Sequence, residues 1–174
     1  MKILILSQHY WPEIGAASNR ITYFARFFAA KGNAVTVIAP APNYPEGKLY
    51  KGWKNKFFNK TEDEGVEIVR TWMWLNRGGS FMPRLLHYAS FMKTSFFAAL
   101  IAGKPDILIV SSPPLFIGLT GVLLSKIWRV PFVFDVRDIW PESASLVERL
   151  HNTTKSAFFA LLTKDTLTNL GPEY

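Results

Sequence analysis

An α/β fold, a parallel sheet with helices packed on both faces, is what the sequence predicts, and three observations carry the expectation. Short apolar runs such as "KILIL" (2–6) and "DILIVSS" (106–112) lack polar alternation, as strands covered on both faces do. Between them lie longer segments with helical spacing of apolar residues, and strands alternating with helices imply parallel pairing. The chain has 174 residues, 49% of them hydrophobic, enough for one substantial core but cramped for two.

The elements follow in order. After "KILIL", the stretch "SNRITYFARFFAAKG" places Ile21, Phe24, Ala25, Phe28 and Ala29 at helical spacing, with Ser18 as N-cap and Gly32 just past the end. "AVTVIAP" (34–40) is the second strand and "GVEIVRTWMW" (65–74) the third. A helix over 85–102, the strand at 106–112, the helix "LFIGLTGVLLSKIW" and a fifth strand in "PFVFDV" complete the alternation. Residues 40–65 break the rhythm with prolines, glycines, lysines and aromatics, and long connections of this kind are usually functional. Beyond Pro141, Ser145 and Glu148 have capping-box spacing, and "SAFFALLTKDTLTNLGP" reads as a helix closed by Gly171 and Pro172, with no sixth strand after it.

Composition narrows the setting. Twenty Lys and Arg against thirteen Asp and Glu leave a net charge of +7, which suits anionic partners such as phosphorylated ligands or acidic lipid, or simply a soluble basic surface. The absence of cysteine excludes disulfides and thiolate metal sites and fits a reducing compartment such as the cytoplasm. "MKILILSQHYWPE" is not a signal peptide, because its apolar run is short and no cleavage site follows. The segment "LLHYASFMKTSFFAALIA" (85–102) tests the soluble reading, since only His87 and Lys93 are ionisable. A bilayer span needs about 20 apolar residues, and a central lysine costs roughly 2.5 to 3.5 kcal/mol. With Leu85, Ala89, Met92, Phe96 and Ala99 on one stripe, a buried or membrane-touching helix is expected instead.

Ligands of open parallel sheets bind beyond the carboxyl ends of the strands, which selects four loops: Ser7 to Asn19, Pro40 to Tyr50, Ser111 to Leu115 and Asp135 to Ser143. In the first, Gly15, Ala16, Ala17 and Ser18 precede a helix whose N-terminus suits phosphate; a tight turn needing small residues explains them equally well. A dinucleotide fingerprint is absent: only one glycine is present, and Ala39 and Pro40 stand where a ribose-binding acid belongs. "SSPPLF" reads as a rigid structural turn. In "FVFDVRDIWPES" (132–143) the pleat lets Asp135 and Arg137 share a side while Asp138 begins the loop. These carboxylates can orient hydroxyls or act as bases, and Arg137 can pair with one of them or with phosphate; for Asp135 an internal salt bridge is the equal alternative. His9, His87 and His151 lack ligand spacing, so no metal site is expected. Lysines 48, 51, 54, 56 and 60 interleave with aromatics, as on a phosphate-binding surface or one resting on anionic lipid.

Three stretches, "YWPEIGAASNR", "VTVIAPAPNYPEGKLYKG" and "DVRDIWPES", occur in this order. They resemble the N-terminal domain of bacterial family 4 glycosyltransferases, above all the capsule, colanic-acid or O-antigen subgroup with its fucosyl- and fucosaminyltransferase-like members. The resemblance covers residue 1 to about 150 and makes 1–150 a Rossmann-like acceptor-side domain of a GT-B fold, with 151–174 a helical extension. It implies metal-independent, retaining transfer from a nucleotide-sugar held mostly by a second domain, with no other cofactor. It further implies that Gly15 and Ala16 approach the donor diphosphate and that Asn43, Arg137 and Glu142 face the acceptor, with Asp138 as the catalytic residue. Where many members carry a histidine after the fifth strand, this chain has Arg137 and Asp138, and the donor domain's paired-glutamate motif is not in the sequence.

The expectation is therefore the acceptor-binding half of a polysaccharide glycosyltransferase, inactive or weakly active alone. It would act on a lipid-linked saccharide in the cytoplasm, peripherally at the inner face of the membrane, with no nucleic acid partner. The alternatives are a non-catalytic membrane-recruiting subunit that docks a separate donor-binding chain and, with little support, a nucleotide-dependent oxidoreductase.

Overall fold

The computed structural model describes residues 1–75 and 81–136, all within one compact unit, Met1–Arg137. Its elements are β1 (Lys2–Ser7), α1 (Ala16–Ala30), β2 (Ala34–Pro40), β3 (Phe58–Asp63), β4 (Val66–Thr71), α2 (Phe81–Ala102), β5 (Ile107–Ser111), α3 (Ile117–Trp128) and β6 (Phe132–Asp135). One sheet contains all six strands in the order β3-β4-β2-β1-β5-β6. Every pairing is parallel except β3 with β4. The expected helix after Pro141, the boundary near 150 and the extension 151–174 lie outside the described residues.

Unbroken apolar runs are explained by burial on both faces. Leu4, Leu6, Ile38, Val69, Leu108 and Val110 pack with Phe91 and Ala98 of α2 and Leu124 of α3. Their sequence neighbours Ile3, Ile5, Val35, Val37, Val66 and Ile68 pack with Ile21 and Ala25 of α1. Alternate residues thus serve opposite cores, so both faces of the central strands are apolar at most positions. In the first of these cores α3 comes unusually close to the sheet. A Cβ on Gly118 would lie 2.8 Å from the Phe134 ring, and one on Gly121 would overlap Phe132 and Val110. These two glycines let α3 settle onto β5 and β6.

Four readings need correction. The segment 40–65 contains a sixth strand, β3, and the five-strand sheet becomes six. Glu64 and Gly65 both have positive φ, 47° and 78°, as a two-residue hairpin turn requires, so Asp63 pairs with Val66 and β3 returns along the sheet edge. Gly65 therefore belongs to the turn, and the strand expected over 65–74 is shorter, ending at Thr71. Ser18 does not cap α1; the cap is Gly15, without a side-chain bond. The Ser18 hydroxyl instead bonds the Glu13 carbonyl at 2.6 Å, which is why a serine can be buried there. The buried face of α1 is Ser18, Ile21, Thr22 and Ala25, whereas Phe24 is exposed beside Tyr23 and Phe27.

The stripe on α2 is also displaced. His87, Phe91, Thr94, Ser95 and Ala98 face inward, and Met82, Leu86, Phe97, Leu100 and Ile101 face out. Ala99 of the expected stripe is buried in the core and Phe96 packs against it, but Leu85, Ala89 and Met92 are only half-buried; Thr94 and Ser95 can turn inward because they satisfy their hydroxyls within the helix, on the carbonyls of Ser90 and Met92 at 3.0 and 3.1 Å. Met82–Ala102 is long and apolar enough to cross a membrane, yet a third of it is buried in this domain.

Candidate functional site

Three loops meet at the carboxyl ends of the strands, and Glu13 ties two of them together. Its side chain, 2% exposed, follows β1 in the loop Gln8–Gly15. Oε1 accepts hydrogen bonds from the backbone N–H groups of Asn43 and Tyr44, at 2.8 and 3.0 Å, in the loop after β2. Oε2 accepts from His9 Nδ1 at 2.8 Å. Asn43 and Tyr44 need a buried acceptor because their turn leaves both N–H groups without a ladder partner. The Ser7 hydroxyl donates to the His9 carbonyl at 2.8 Å, fixing the residue's backbone. The Tyr44 ring stands edge-on to the imidazole with centroids 5.0 Å apart.

Arg70 braces the same region from below. It projects from β4 on the α1 side, 3% exposed, and no carboxylate lies within ion-pair distance among the described residues. Its guanidinium donates to the carbonyl of Pro40 at 3.0 Å and to that of Trp11, and lies over the rings of Tyr10 and Trp53, 5.7 and 5.1 Å from their centroids. Burial draws its pKa down to about 10, opposed by the fields of Glu13 and Tyr10, so it stays charged at neutral pH. The guanidinium suits this place: its several donors reach two carbonyls while the cation lies over two aromatic rings. Trp53 and Phe58, read as part of a lysine-aromatic surface, are thereby turned inward, against Arg70 and the core.

A buried histidine, His87, completes the inner wall. His87 Nδ1 donates to the Trp74 carbonyl at 2.5 Å, which leaves Nε2 to accept from the Gln8 amide at 2.7 Å. Burial pushes its pKa below the ordinary 6.5, and the Trp74 bond only partly restores it. The unfolded chain therefore binds the proton more readily, so this histidine's contribution to stability is complete above 6.5 and is lost as pH falls from there through the lowered folded value. Urea melts across pH 8 to 5 are expected to show a steeper loss for the wild type than for His87→Gln; equal slopes would place the acid sensitivity elsewhere.

The positions singled out from sequence are distributed unevenly. Gly15 lies under Tyr44, whose ring would stand 3.3 Å from an added Cβ, and Ala16 opens α1 at the surface. Asn43 is buried and commits its amide N–H to the Ala41 carbonyl at 2.9 Å, so it shapes the loop that presents Tyr44. Asp135 forms the internal pair, with Arg20 at 2.7 Å and the Ser111 hydroxyl at 3.0 Å. Arg137, Asp138 and Glu142 lie outside the described residues. Sequence reasoning missed His9, Glu13 and Arg70; for the first two the i,i+4 spacing in "HYWPE" is the available signal, and it does not have the pattern of a metal site. Among the described residues no three His, Cys, Asp or Glu side chains gather to hold a metal ion. A groove of about 540 Å³ lined by Thr36, Lys60, Glu62 and Glu67 sits at the opposite, amino ends of β2 and β4, away from these loops.

This arrangement, an α/β sheet with its polar loops at the strands' carboxyl ends, coincides with a family match. Residues 15–170 match the glycosyl transferase 4-like domain. The chain belongs to that family. In this glycosyl transferase 4-like chain the sheet is the Rossmann-like α/β class of a GT-B N-terminal domain. It is also similar to the "Putative colanic acid biosynthesis glycosyl transferase WcaI" of Escherichia coli (strain K12), with 31% identity over 143 residues. That alignment takes in 79% of this chain and 34% of the relative, so the chain spans about a third of the relative's length.

Proposed function

We propose that this chain is the acceptor-binding N-terminal part of a retaining glycosyltransferase that moves a hexosyl-type sugar from a nucleotide-sugar in cell-surface polysaccharide synthesis. The observation that carries the reading is the family match over 15–170, together with similarity to a protein named for colanic acid biosynthesis that is more than twice as long. The donor would be held largely by a further domain, with the amides of Gly15 and Ala16 at the α1 N-terminus approaching its diphosphate. The loops of Asn43, Arg137 and Glu142 would face the acceptor, and Asp138 would act on its hydroxyl.

The outward stripe of α2, Met82, Leu86, Phe97, Leu100 and Ile101, with Lys93 exposed among them, favours a lipid-linked acceptor and peripheral contact with the cytoplasmic face of the membrane. The same stripe supports the second reading, a non-catalytic recruiting subunit that docks a separate donor-binding chain. The 174-residue chain alone is expected to show no turnover of a panel of UDP-, GDP- and dTDP-sugars with a lipid-linked acceptor, and the chain joined to a donor domain is expected to turn over. Turnover by the chain alone at the roughly 1 to 1,000 per second of ordinary enzymes would overturn the two-domain reading. A reading frame that stops at Tyr174 would favour the recruiting subunit.

A further inference from the structure

We infer that His9 and Tyr44 form a pyranose-binding subsite, in which His9 Nε2 accepts a hydrogen bond from a sugar hydroxyl and Glu13 is the positioning residue that sets the imidazole tautomer. The inference rests on the acceptor-side reading above and adds to it the groups that meet the sugar.

The tautomer follows from hydrogen-bond accounting. An ionised carboxylate can only accept, so with Glu13 Oε2 2.8 Å from Nδ1 the ring hydrogen sits on Nδ1. A neutral ring then carries its lone pair at Nε2, for which there is no protein partner among the described residues. The side chain is 17% exposed, so this edge can be reached from outside. Beside it Tyr44 is 46% exposed, its ring inclined at 72° to the imidazole. A pyranose offers an apolar C–H face and a rim of hydroxyls, and an exposed aromatic ring next to a lone hydrogen-bond acceptor matches both.

Glu13 couples the two halves. The carboxylate that fixes the imidazole also holds the backbone N–H of Tyr44 at 3.0 Å, so the acceptor atom and the aromatic platform are set by one buried group. This separates positioning from mere support. In Glu13→Gln the side-chain carbonyl can still accept from Asn43 and Tyr44, while its NH2 would donate to His9 Nδ1 and drive the ring hydrogen to Nε2. The loops stay clamped, but the acceptor at Nε2 becomes a donor.

The test uses the 174-residue chain with 15N-labelled histidine, observed by NMR at about pH 8, above the ordinary imidazole range. His9→Gln assigns the signal among the three histidines. Wild-type His9 is expected as the Nδ1–H tautomer, and Glu13→Gln as the Nε2–H tautomer with an unchanged urea midpoint. Octyl β-glycosides of glucose, galactose and N-acetylglucosamine are then titrated. At least one should shift the His9 Nε2 resonance and the Tyr44 ring protons together, and Tyr44→Ala and Glu13→Gln should each weaken that binding about tenfold, as loss of one good contact does. A charged or Nε2–H imidazole in the wild type, or sugars that leave Nε2 and Tyr44 unmoved, would overturn the subsite. Neither measurement reads turnover, so failed sugar transfer tells against the glycosyltransferase reading alone and a wrong tautomer against the subsite alone.

Discussion

Arg70→Ala is expected to lower the free energy of unfolding by about 3 to 5 kcal/mol, the combined effect of two lost charge-assisted hydrogen bonds and the buried acceptors they leave. The carbonyls of Pro40 and Trp11 both receive their bond from this one guanidinium, which is 3% exposed. Water cannot replace it without opening the loops, and Tyr10 and Trp53 lose the cation over their rings. Lysine should recover only part of the loss, since a compact ammonium lacks the broad fork that reaches both carbonyls beside the two rings. Urea denaturation at neutral pH measures this directly. A cost under about 1 kcal/mol would mean that Arg70 is incidental to the loops, as surface substitutions usually are.

Asp138→Asn is expected to act oppositely, lowering sugar transfer by about 100-fold, the lower end for a lost acid–base group, while leaving the unfolding midpoint unchanged. In the sequence the residue comes three positions after the last residue of β6, in a stretch that resembles the family. An amide keeps the volume and much of the hydrogen bonding of the carboxyl but cannot take a proton. The assay needs the chain together with a donor domain and a nucleotide-sugar. Near-normal turnover would reassign Asp138 to structure and shift attention to the loops after β1 and β2.

The contrast between these two substitutions follows how much of the protein could be read from its residues. The parallel core was legible because both faces of β1, β2 and β5 are covered, and a strand covered on both faces must be apolar at nearly every position. The hairpin strand β3 was not. One side of Phe58–Asp63 meets solvent and five of its six residues are polar, so nothing distinguishes it from a loop until its antiparallel pairing with β4 is seen. On α2, apolar spacing pointed to Leu85, Ala89 and Met92, but close packing selected residues whose polar atoms could be satisfied inside the helix.

The site divides in the same way. Pattern and composition were sufficient to establish an α/β sheet and to direct attention to the loops after β1, β2 and β6, while the resemblance of three stretches suggested a family that the match over 15–170 then showed. Those properties depend on local spacing, which the chain carries in one dimension. The link from Glu13 to Asn43, Tyr44 and His9, and the seat of Arg70 under Trp11 and Pro40, were decided only by tertiary structure. Glu13 and Asn43 are 30 residues apart, and so are Arg70 and Pro40. Their partners are mostly backbone groups, which every residue possesses, so no side-chain pattern in the sequence marks them.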